Sequence, residues 1–348
     1  MTTPAAHTAR STFGLGELAG VCAHYDIGTI HRVYEFKEGS RRSPKAVLET
    51  DRGRYLIKRR ARGRDDPYRV AFCHDLQLAL HAAGFPLPRL IGTQAGNNSM
   101  VQLNERVYEL FEFVEGSPFD RTPEPCEDAG RVLATLHRLV REYQPRWPVP
   151  VWSFHDDAHL RDRLGEIAAR DIARGDILEL GGLYTLAATH ATTTAAADGH
   201  APGGQLLHGD WHPGNMIFRN NRVVAVLDFD GARRGPITHD LANGLLQFSL
   251  TRVGTNPDDW PDALDAHRFA AFLRGYGSAA LQLDLATLPA LMAEALVAEI
   301  VSPIALSGSF AGREAGPFVR MALRKGRWLL GHADQLVALA RRSAGEDE

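Results

Sequence analysis

The sequence is poor in cysteine, and its cysteines do not form a recognisable pattern. Three are present, Cys22, Cys73 and Cys126, far apart and without a Cys-x-x-Cys pair. An odd number of isolated cysteines is unlike the frameworks of small secreted proteins. We therefore expect free thiols and a reducing compartment.

A surplus of one charge and a long apolar segment are also missing. The chain has 39 basic and 42 acidic residues, a formal charge of −3, which gives no field that would recruit a polyanion. Glu294 and Glu299 interrupt the longest apolar stretch, and the first residues contain no apolar leader. We expect no nucleic-acid partner, no membrane partner and a cytoplasmic location.

What the sequence does have is enough apolar material for a large core. Its 348 residues are 44% hydrophobic, which suits one large domain or two closely packed domains that need no disulfide or metal for stability. Only four of the 39 basic residues are lysines. Because an ammonium and a guanidinium are not interchangeable, a lysine kept against this bias is a candidate functional residue.

The first third of the chain predicts a small sheet with one helix. Short apolar runs within 30–59 are separated by turn formers, the pattern of a three-stranded antiparallel meander. Further along we expect a helix over 67–83 and strands over 99–103 and 106–113. We predict that residues 1–115 form an N-terminal nucleotide-binding lobe.

After Gly116 the pattern becomes helical. Apolar residues recur at helical spacing over 126–140, 238–250, 264–276, 287–301 and 316–341. The Ala- and Thr-rich stretch 186–204 predicts a loop or a poor helix end. We predict an α+β fold in which residues 116–348 form a larger, mainly helical lobe.

The residues with the clearest chemistry flank one predicted hairpin. Asn220 and Asn221 lie between two apolar runs, and Asn tolerates the positive φ of a two-residue turn. Asp210 and Asn215 precede the hairpin and Asp228 follows it, which is the spacing of the protein-kinase signature. Two of these side chains would supply hard oxygen ligands to Mg²⁺, and Asp210 would accept the proton of an acceptor hydroxyl.

Lys58 ends an apolar strand, where the kinase pattern has the lysine that contacts the ATP phosphates. The alternative is a surface lysine at a strand end. Gly39 and Ser40 lie between the first two predicted strands, where a turn covering the phosphates would be, although the Gly-x-Gly-x-x-Gly pattern is absent. We predict that these three residues contact the nucleotide.

The motifs of 206–242 resemble those of small-molecule kinases that include aminoglycoside phosphotransferases, choline kinases and homoserine kinases of this fold. The matching segments are His208-Gly209-Asp210-x-His212-x-x-Asn215, Val226-Leu227-Asp228-Phe229-Asp230-Gly231-Ala232 and His239-Asp240-Leu241-Ala242. The resemblance extends over about residues 28 to 300, with specific motifs only in 206–242.

This resemblance implies a bilobal protein-kinase-like fold with ATP and Mg²⁺ as cofactors. It implies Asp210 as the catalytic base and Asn215 and Asp228 as metal ligands. It also implies a hinge at 111–116, where the Glu112 carbonyl and the Val114 amide meet the adenine edge.

Two positions depart from the family pattern. The acidic partner of Lys58 is expected on the first helix, where the sequence offers His74 or Asp75 and no obvious glutamate. Arg233 and Arg234 precede the last motif, and the sequence assigns no partner to either.

Several of these side chains also have other interpretations. His208, Asp210 and His212 alternate along the chain and could form a zinc set, so a zinc hydrolase is the rival from another class. It leaves the lysine and the other oxygen ligands unexplained. We predict instead that both histidines brace the loop through hydrogen bonds. Asp240 follows Thr238 at the start of a predicted helix, where a carboxylate is favourable, and the resemblance implies that it also pins the catalytic loop.

The predicted function is an ATP- and Mg²⁺-dependent phosphotransferase that acts on a hydroxyl of a small amine-bearing metabolite, such as an amino alcohol, an amino sugar, an aminoglycoside or homoserine. A protein kinase and an inactive nucleotide-binding relative are the alternatives, although only about ten residues separate Asp228 from Thr238. Carboxylates available to the amine are Asp156, Asp157, Glu294 and Glu299. The choice between ATP and GTP and the oligomeric state stay open.

Overall fold

The structure, a computed structural model, describes residues 10–37, 39, 42–197 and 204–345. The chain divides into two compact units. The sheet unit contains 1–117, 142–150 and 224–230, and the helical unit contains 118–141, 151–223 and 231–348. Ser40, predicted to contact the nucleotide, lies outside the described residues.

In its described residues, the sheet unit contains a five-stranded antiparallel sheet and two helices. In chain order they are α1 (Leu15–Cys22), β1 (Ile30–Phe36), β2 (Lys45–Thr50), β3 (Gly53–Arg59), α2 (Pro67–Ala82), β4 (Val101–Leu103) and β5 (Arg106–Glu112). The strand order is β1-β2-β3-β5-β4. The predicted meander, helix and pair of strands are confirmed, and α1 is an additional element.

Local chemistry explains these elements. β2 carries the buried run Ala46 to Leu48 at the centre of the meander, as expected for a strand covered on both faces. α2 begins at Pro67, because Asp66 caps it by accepting a hydrogen bond from the Arg69 amide at 2.8 Å. The pairing of β3 with β5 places Lys58 directly opposite Glu109.

The helical unit holds most of the helices and three short strands, and a fourth strand begins in it. Its elements are α3 (Pro123–Leu139), α4 (Ala158–Ala169), α5 (Arg174–Ala197), β6 (Gln205–Leu207), β7 (Met216–Arg219), β8 (Arg222–Val226), β9 (Arg233–Gly235), α6 (Ile237–Ser249), α7 (Ala266–Tyr276), α8 (Leu288–Ser307), α9 (Gly316–Gly331) and α10 (Ala333–Ser343). β8 begins in the helical unit and ends in the sheet unit. Among the described residues, β6 pairs with β9 and β7 pairs with β8.

Of the two alternatives for 186–204, the loop is wrong for the part that α5 occupies, and the end of this helix lies within the stretch, at Ala197. The hydroxyls of Thr185, Thr189 and Thr193 each donate to the carbonyl four residues earlier, at 2.9–3.0 Å. The hydroxyls thereby find partners inside the helix rather than competing with it, and intervening alanines give it a buried face. The rest of that stretch includes 198–203, which lie outside the described residues.

Two further boundaries differ from the expectation. α3 begins at Pro123 rather than near 126, because proline is well suited to the first position of a helix. The segment predicted as one helix over 316–341 is divided at His332, whose Nδ1 lies 2.8 Å from the carbonyl oxygen of Trp328.

The predicted hairpin is confirmed. Asn220 and Asn221 have φ angles of 51° and 60° and connect β7 to β8, the left-handed pair that a two-residue turn requires. Asp228 also has a positive φ, of 59°, an uncommon conformation for a residue other than glycine.

One described segment, Leu285–Ser307, has the length and mean hydropathy of a membrane-spanning helix. In the structure 72% of its most apolar window is buried against the rest of the protein. Glu294, inside this segment, is completely buried and hydrogen-bonded. Burial of this kind is the property of a core helix, and the absence of a membrane partner stays a prediction.

Candidate active site

In the sheet unit, the ammonium of Lys58 lies among three carboxylates. Its Nζ is 3.4 Å from Asp230, 3.6 Å from Asp228 and 3.8 Å from Glu109. Burial alone would lower the pKa of Lys58, but these carboxylates outweigh burial and raise it. The lysine therefore stays charged, and the structure brings it together with Asp228.

Arg60 is a second cation of this cluster, which sequence reasoning missed. Its Nη2 lies 2.7 Å from Glu109 Oε1 and 2.8 Å from Asp230 Oδ1, and its side chain is buried. Burial alone would raise the pKa of Glu109, but Arg60 and Lys58 hold it well below its usual range. The sequence feature that could have indicated this cluster is Glu109, a charged residue inside the apolar run of β5.

The acidic partner of Lys58 does not come from α2. His74 on α2 contacts Glu109 instead, with Nε2 2.6 Å from Oε1. Asp75 accepts hydrogen bonds from the Arg146 guanidinium, whose Nε lies at 2.7 Å, and from the Tyr143 hydroxyl. Among the described residues, the carboxylates within 4 Å of the lysine belong to β5 and to the segment after β8.

In the helical unit, Asp210 and Asn215 lie on one tight loop. The Asn215 amide nitrogen donates to the Asp210 carboxylate and to the Asp210 carbonyl, both at 3.0 Å. A single 3₁₀ turn over Pro213–Asn215 produces this approach, and the ring of His212 caps the turn by accepting from the Gly214 amide at 3.0 Å. The Asp210 side chain is half exposed, so a substrate can reach it.

Asp240 fixes the start of this loop. Its carboxylate accepts the amides of His208 and Gly209, both at 2.8 Å, and lies 3.3 Å from His137 Nε2. Burial alone would raise the pKa of Asp240, but the contact with His137 and nearby positive charge lower it. Gly209 has a φ of 79°, and a side chain there would clash with the Gly231 carbonyl.

His208 and Arg233 complete the support of the loop. His208 is fully buried, and its Nδ1 accepts from the Asp210 amide at 3.3 Å. The buried Arg233 donates to the carbonyls of Gly209 at 2.7 Å and Gly231 at 3.2 Å. The partners of this arginine are thus backbone carbonyls, which the sequence did not reveal, and Arg234 likewise donates to the Gly204 carbonyl at 3.1 Å.

The other predicted nucleotide positions belong to the sheet unit. Gly39 has a φ of 81°, and a Cβ at this position would lie 2.6 Å from Lys45 Nζ. Glu112 is the last residue of β5, and its carboxylate lies 3.2 Å from the Arg89 guanidinium. Val114 follows two residues later, beyond the end of that strand.

The predicted zinc alternative finds no support in the geometry. His212 Nε2 lies 3.5 Å from Asp210, but Nδ1 of His208 and Nδ1 of His212 both accept backbone amides. In the part of the chain that the structure describes, no three His, Cys, Asp or Glu side chains are grouped to hold a metal ion.

The acidic residues suggested for an acceptor amine have different environments. Asp157 caps α4 by accepting the His159 amide, and the buried Glu294 accepts the Asp156 amide at 3.0 Å. Both carboxylates thus have a local structural role. Glu299 on α8 is exposed and accepts a hydrogen bond from Gln247.

Comparison with known proteins identifies similar chains and folds. Residues 33–292 match the model of the phosphotransferase enzyme family. A homoserine kinase of Sinorhizobium fredii (strain NBRC 101917 / NGR234) is 28% identical over 257 residues, covering 69% of this chain and 70% of the relative.

Two solved structures are similar in fold. A microcompartment-associated aminopropanol kinase has a TM-score of 0.69 at 16% identity, with 93% of this chain and 98% of that chain covered. An amicoumacin kinase solved with AMP-PNP, Ca²⁺ and Ami has a TM-score of 0.64 at 12% identity, with 91% and 94% covered. The predicted α+β kinase-like fold, with an N-terminal antiparallel sheet and a mainly helical C-terminal part, is thereby confirmed.

Proposed function

We propose that this chain uses ATP with Mg²⁺ and phosphorylates an amine-bearing acceptor. It belongs to the phosphotransferase enzyme family and transfers phosphoryl groups to hydroxyls of small molecules. Residues 1–115 would bind the nucleotide, and residues 116–348 would carry the catalytic loop and the acceptor site.

The observation that supports this proposal most strongly is the 3.6 Å separation of Lys58 and Asp228. The kinase pattern assigns one of these residues to the nucleotide phosphates and the other to the metal, from segments about 170 residues apart. Phosphoryl transfer needs cations beside the phosphate oxygens and carboxylates for the metal. A lysine and an aspartate at this distance suit adjacent phosphate and metal contacts.

The residues around Asp228 fit a divalent cation. The carboxylates of Asp228, Asp230 and Glu109 lie beside Lys58 and Arg60, and the Asp228 side chain is 38% exposed, so a metal ion can reach it. Mg²⁺ is commonly held by one or two protein oxygens together with phosphates and water. We propose Asp228 and Asn215 as those protein ligands, and bound Mg²⁺ would neutralise charge on the phosphate oxygens.

Asp210 would act as the general base. Its half-exposed carboxylate accepts a hydrogen bond from Asn215, which orients it. It would orient the acceptor hydroxyl and take its proton as the oxygen attacks the γ-phosphorus, while the bond from that phosphorus to the bridging oxygen breaks and ADP leaves. Asp240, His208 and His212 would act on this step only by keeping the loop in place.

The most specific part of the proposal is that the acceptor carries an amine. The similar proteins are named as kinases of homoserine and of aminopropanol, and both compounds carry a hydroxyl and an amine. In this chain, Glu299 is an exposed carboxylate whose electrostatic neighbours include His212 and Asp210. It could therefore meet an ammonium group near the loop.

An ATP-consumption screen tests the proposal. Homoserine, 1-amino-2-propanol, aminoglycosides and their deaminated analogues would be compared, with and without EDTA. We expect turnover of an amine-bearing compound that stops in EDTA and returns with Mg²⁺, and labelled phosphate in the small-molecule fraction. Turnover of a protein substrate alone, or activity that needs zinc and no nucleotide, would contradict it.

A further inference from the structure

The sheet itself provides a partner for Lys58. Lys58 on β3 and Glu109 on β5 are directly opposed in the antiparallel register, so both side chains leave the same face of the sheet within reach of each other. Glu109 is completely buried, and a buried carboxylate is stable only when cations or hydrogen bonds compensate it.

The two oxygens of the Glu109 carboxylate have different surroundings. Oε1 accepts from Arg60 at 2.7 Å and lies 2.6 Å from His74 Nε2. Oε2 is buried and has no hydrogen-bond partner. Lys58 Nζ lies 3.8 Å from Oε2, slightly beyond hydrogen-bonding distance.

We infer that Glu109 is the positioning residue of Lys58, with Oε2 as the atom that orients the ammonium toward the nucleotide phosphates. The inference rests on the proposed function, in which Lys58 contacts those phosphates. In protein kinases the corresponding lysine pairs with a glutamate of a helix. Here a strand glutamate takes that position, and α2 contributes His74, which holds Glu109.

The second side of His74 supports this arrangement. Its Nδ1 lies 2.9 Å from the Ser99 hydroxyl while Nε2 contacts Glu109. The ring is buried and fixed at both nitrogens, so it can hold the carboxylate in one orientation. Arg60 also contacts Oε1 of Glu109, at 2.7 Å, and itself lies 2.8 Å from Asp230.

Asp230 is the competing candidate, since its Oδ2 lies 3.4 Å from the lysine. Its other oxygen contacts Arg60, however, and it follows Asp228, the proposed metal ligand, by two residues. Asp230 is therefore part of the proposed metal-binding segment. Glu109 is in the same sheet as the lysine, and the register of β3 and β5 places the two residues opposite each other.

The test compares Glu109→Gln with a control, Asp75→Asn, which removes a carboxylate of α2 in the same way. Folding is checked by circular dichroism, and kcat and both KM values are measured with ATP and an accepted substrate. We expect Glu109→Gln to raise the KM for ATP by about tenfold or more and to lower kcat, as for a misplaced charge-assisted contact. The KM for the acceptor should not change, and Asp75→Asn should keep the KM for ATP within about twofold.

A double variant separates positioning from general stability. In the Lys58→Ala background, Glu109→Gln should add little to the KM for ATP, because the group that it positions is gone. If Glu109→Gln does not fold, Glu109→Asp can be measured instead. It keeps the carboxylate charge but moves it away from Lys58 because the side chain is one methylene shorter, and it should still raise the KM for ATP.

Two results would overturn the inference: folded Glu109 variants with the wild-type KM for ATP, or the same loss of ATP affinity in Asp75→Asn. Failure of the proposed function gives a different result, since Lys58→Ala would then turn over ATP like the wild type. An impaired Lys58→Ala together with unaffected Glu109 variants refutes only the inference.

Discussion

In the sheet unit, Lys58 is surrounded by ion pairs between side chains. In the helical unit, the loop of Asp210 is held by hydrogen bonds from charged side chains to backbone groups. The lysine has three carboxylates within 4 Å, and Arg60 contacts two of the same three. The loop of Asp210 is held by Asp240, which accepts two amides, and by Arg233, which donates to two carbonyls. The first arrangement orients side chains, and the second fixes the path of the chain.

This difference predicts how each region fails. Removing one charge near Lys58 leaves other buried charges without balance, which should alter nucleotide affinity. Removing Asp240 or Arg233 leaves backbone groups without partners, which should lower stability and displace Asp210. The following substitutions test that distinction, beginning with the largest effect.

Asp210→Asn should have the largest effect, and on chemistry alone. The loop keeps its backbone contacts, so ATP binding should be nearly unchanged, whereas kcat should fall by about 10²–10⁴, as is typical when a general base is lost. Nucleotide titration and steady-state kinetics on the same preparation measure both quantities. A variant with wild-type kcat would remove Asp210 from the reaction.

Asp240→Asn should act mainly on stability. Each oxygen of the Asp240 carboxylate accepts one backbone N–H group, and the side-chain nitrogen of asparagine cannot accept one. We therefore expect a loss of about 2–4 kcal/mol in the free energy of unfolding at pH 7. Urea unfolding followed by circular dichroism measures it.

The same substitution has a defined pH dependence. Because the pKa of Asp240 is lowered in the folded protein, its contribution is present above the ordinary value of 3.8 and is lost as the pH falls through the lower value. The difference between the two proteins should therefore shrink in acid. A difference that is constant with pH would mean that the carboxylate charge is not what holds the loop.

Lys58→Ala should change affinity more than stability, in contrast to Asp240→Asn. We expect the KM for ATP to rise by about 10- to 100-fold, because a charge-assisted contact to the phosphates is lost. Lys58→Arg should restore little, since a planar guanidinium does not occupy the place of a compact ammonium. Equal ATP affinity in all three proteins would show that this cluster has only a structural role.

His239→Gln should have the smallest effect at neutral pH and a growing one in acid. Burial, together with the nearby charges of His155 and Arg233, lowers the pKa of His239 to about 3. The unfolded chain takes up a proton below about 6.5 while the folded protein does not, so folding stability falls as the pH drops below that value. The variant should lose stability less steeply between pH 6.5 and pH 4, as measured by urea unfolding. An identical slope would show that His239 does not contribute.

The sequence predicted best those features that depend on neighbouring residues. Asn220 and Asn221 specify their turn by their own tolerance of positive φ, and the alternation within 30–59 specifies the meander. Contacts between distant segments were not predictable in this way. Glu109 contacts Arg60 and His74 only because β3, β5 and α2 pack together. A charged residue inside the apolar run of β5 indicates that it needs a partner, but the local sequence does not identify that partner.

The errors have a similar origin. The threonines of α5 read as poor helix formers, yet their hydroxyls bond within the helix and one face of the helix packs against the core, so tertiary burial outweighs propensity. Arg233 was noticed without a partner, because its partners are carbonyl groups, which every residue type supplies equally.

The three buried cysteines can serve as chemical reporters of local opening. Cys22, Cys73 and Cys126 are free and buried, and burial raises the pKa of each thiol, that of Cys73 to about 12. A maleimide or iodoacetamide reacts with thiolates, so each site can be labelled only while its surroundings are open. Because the first two thiols belong to the sheet unit and Cys126 to the helical unit, mass spectrometry of timed labelling would give the opening rate of each unit in the unmodified wild-type chain.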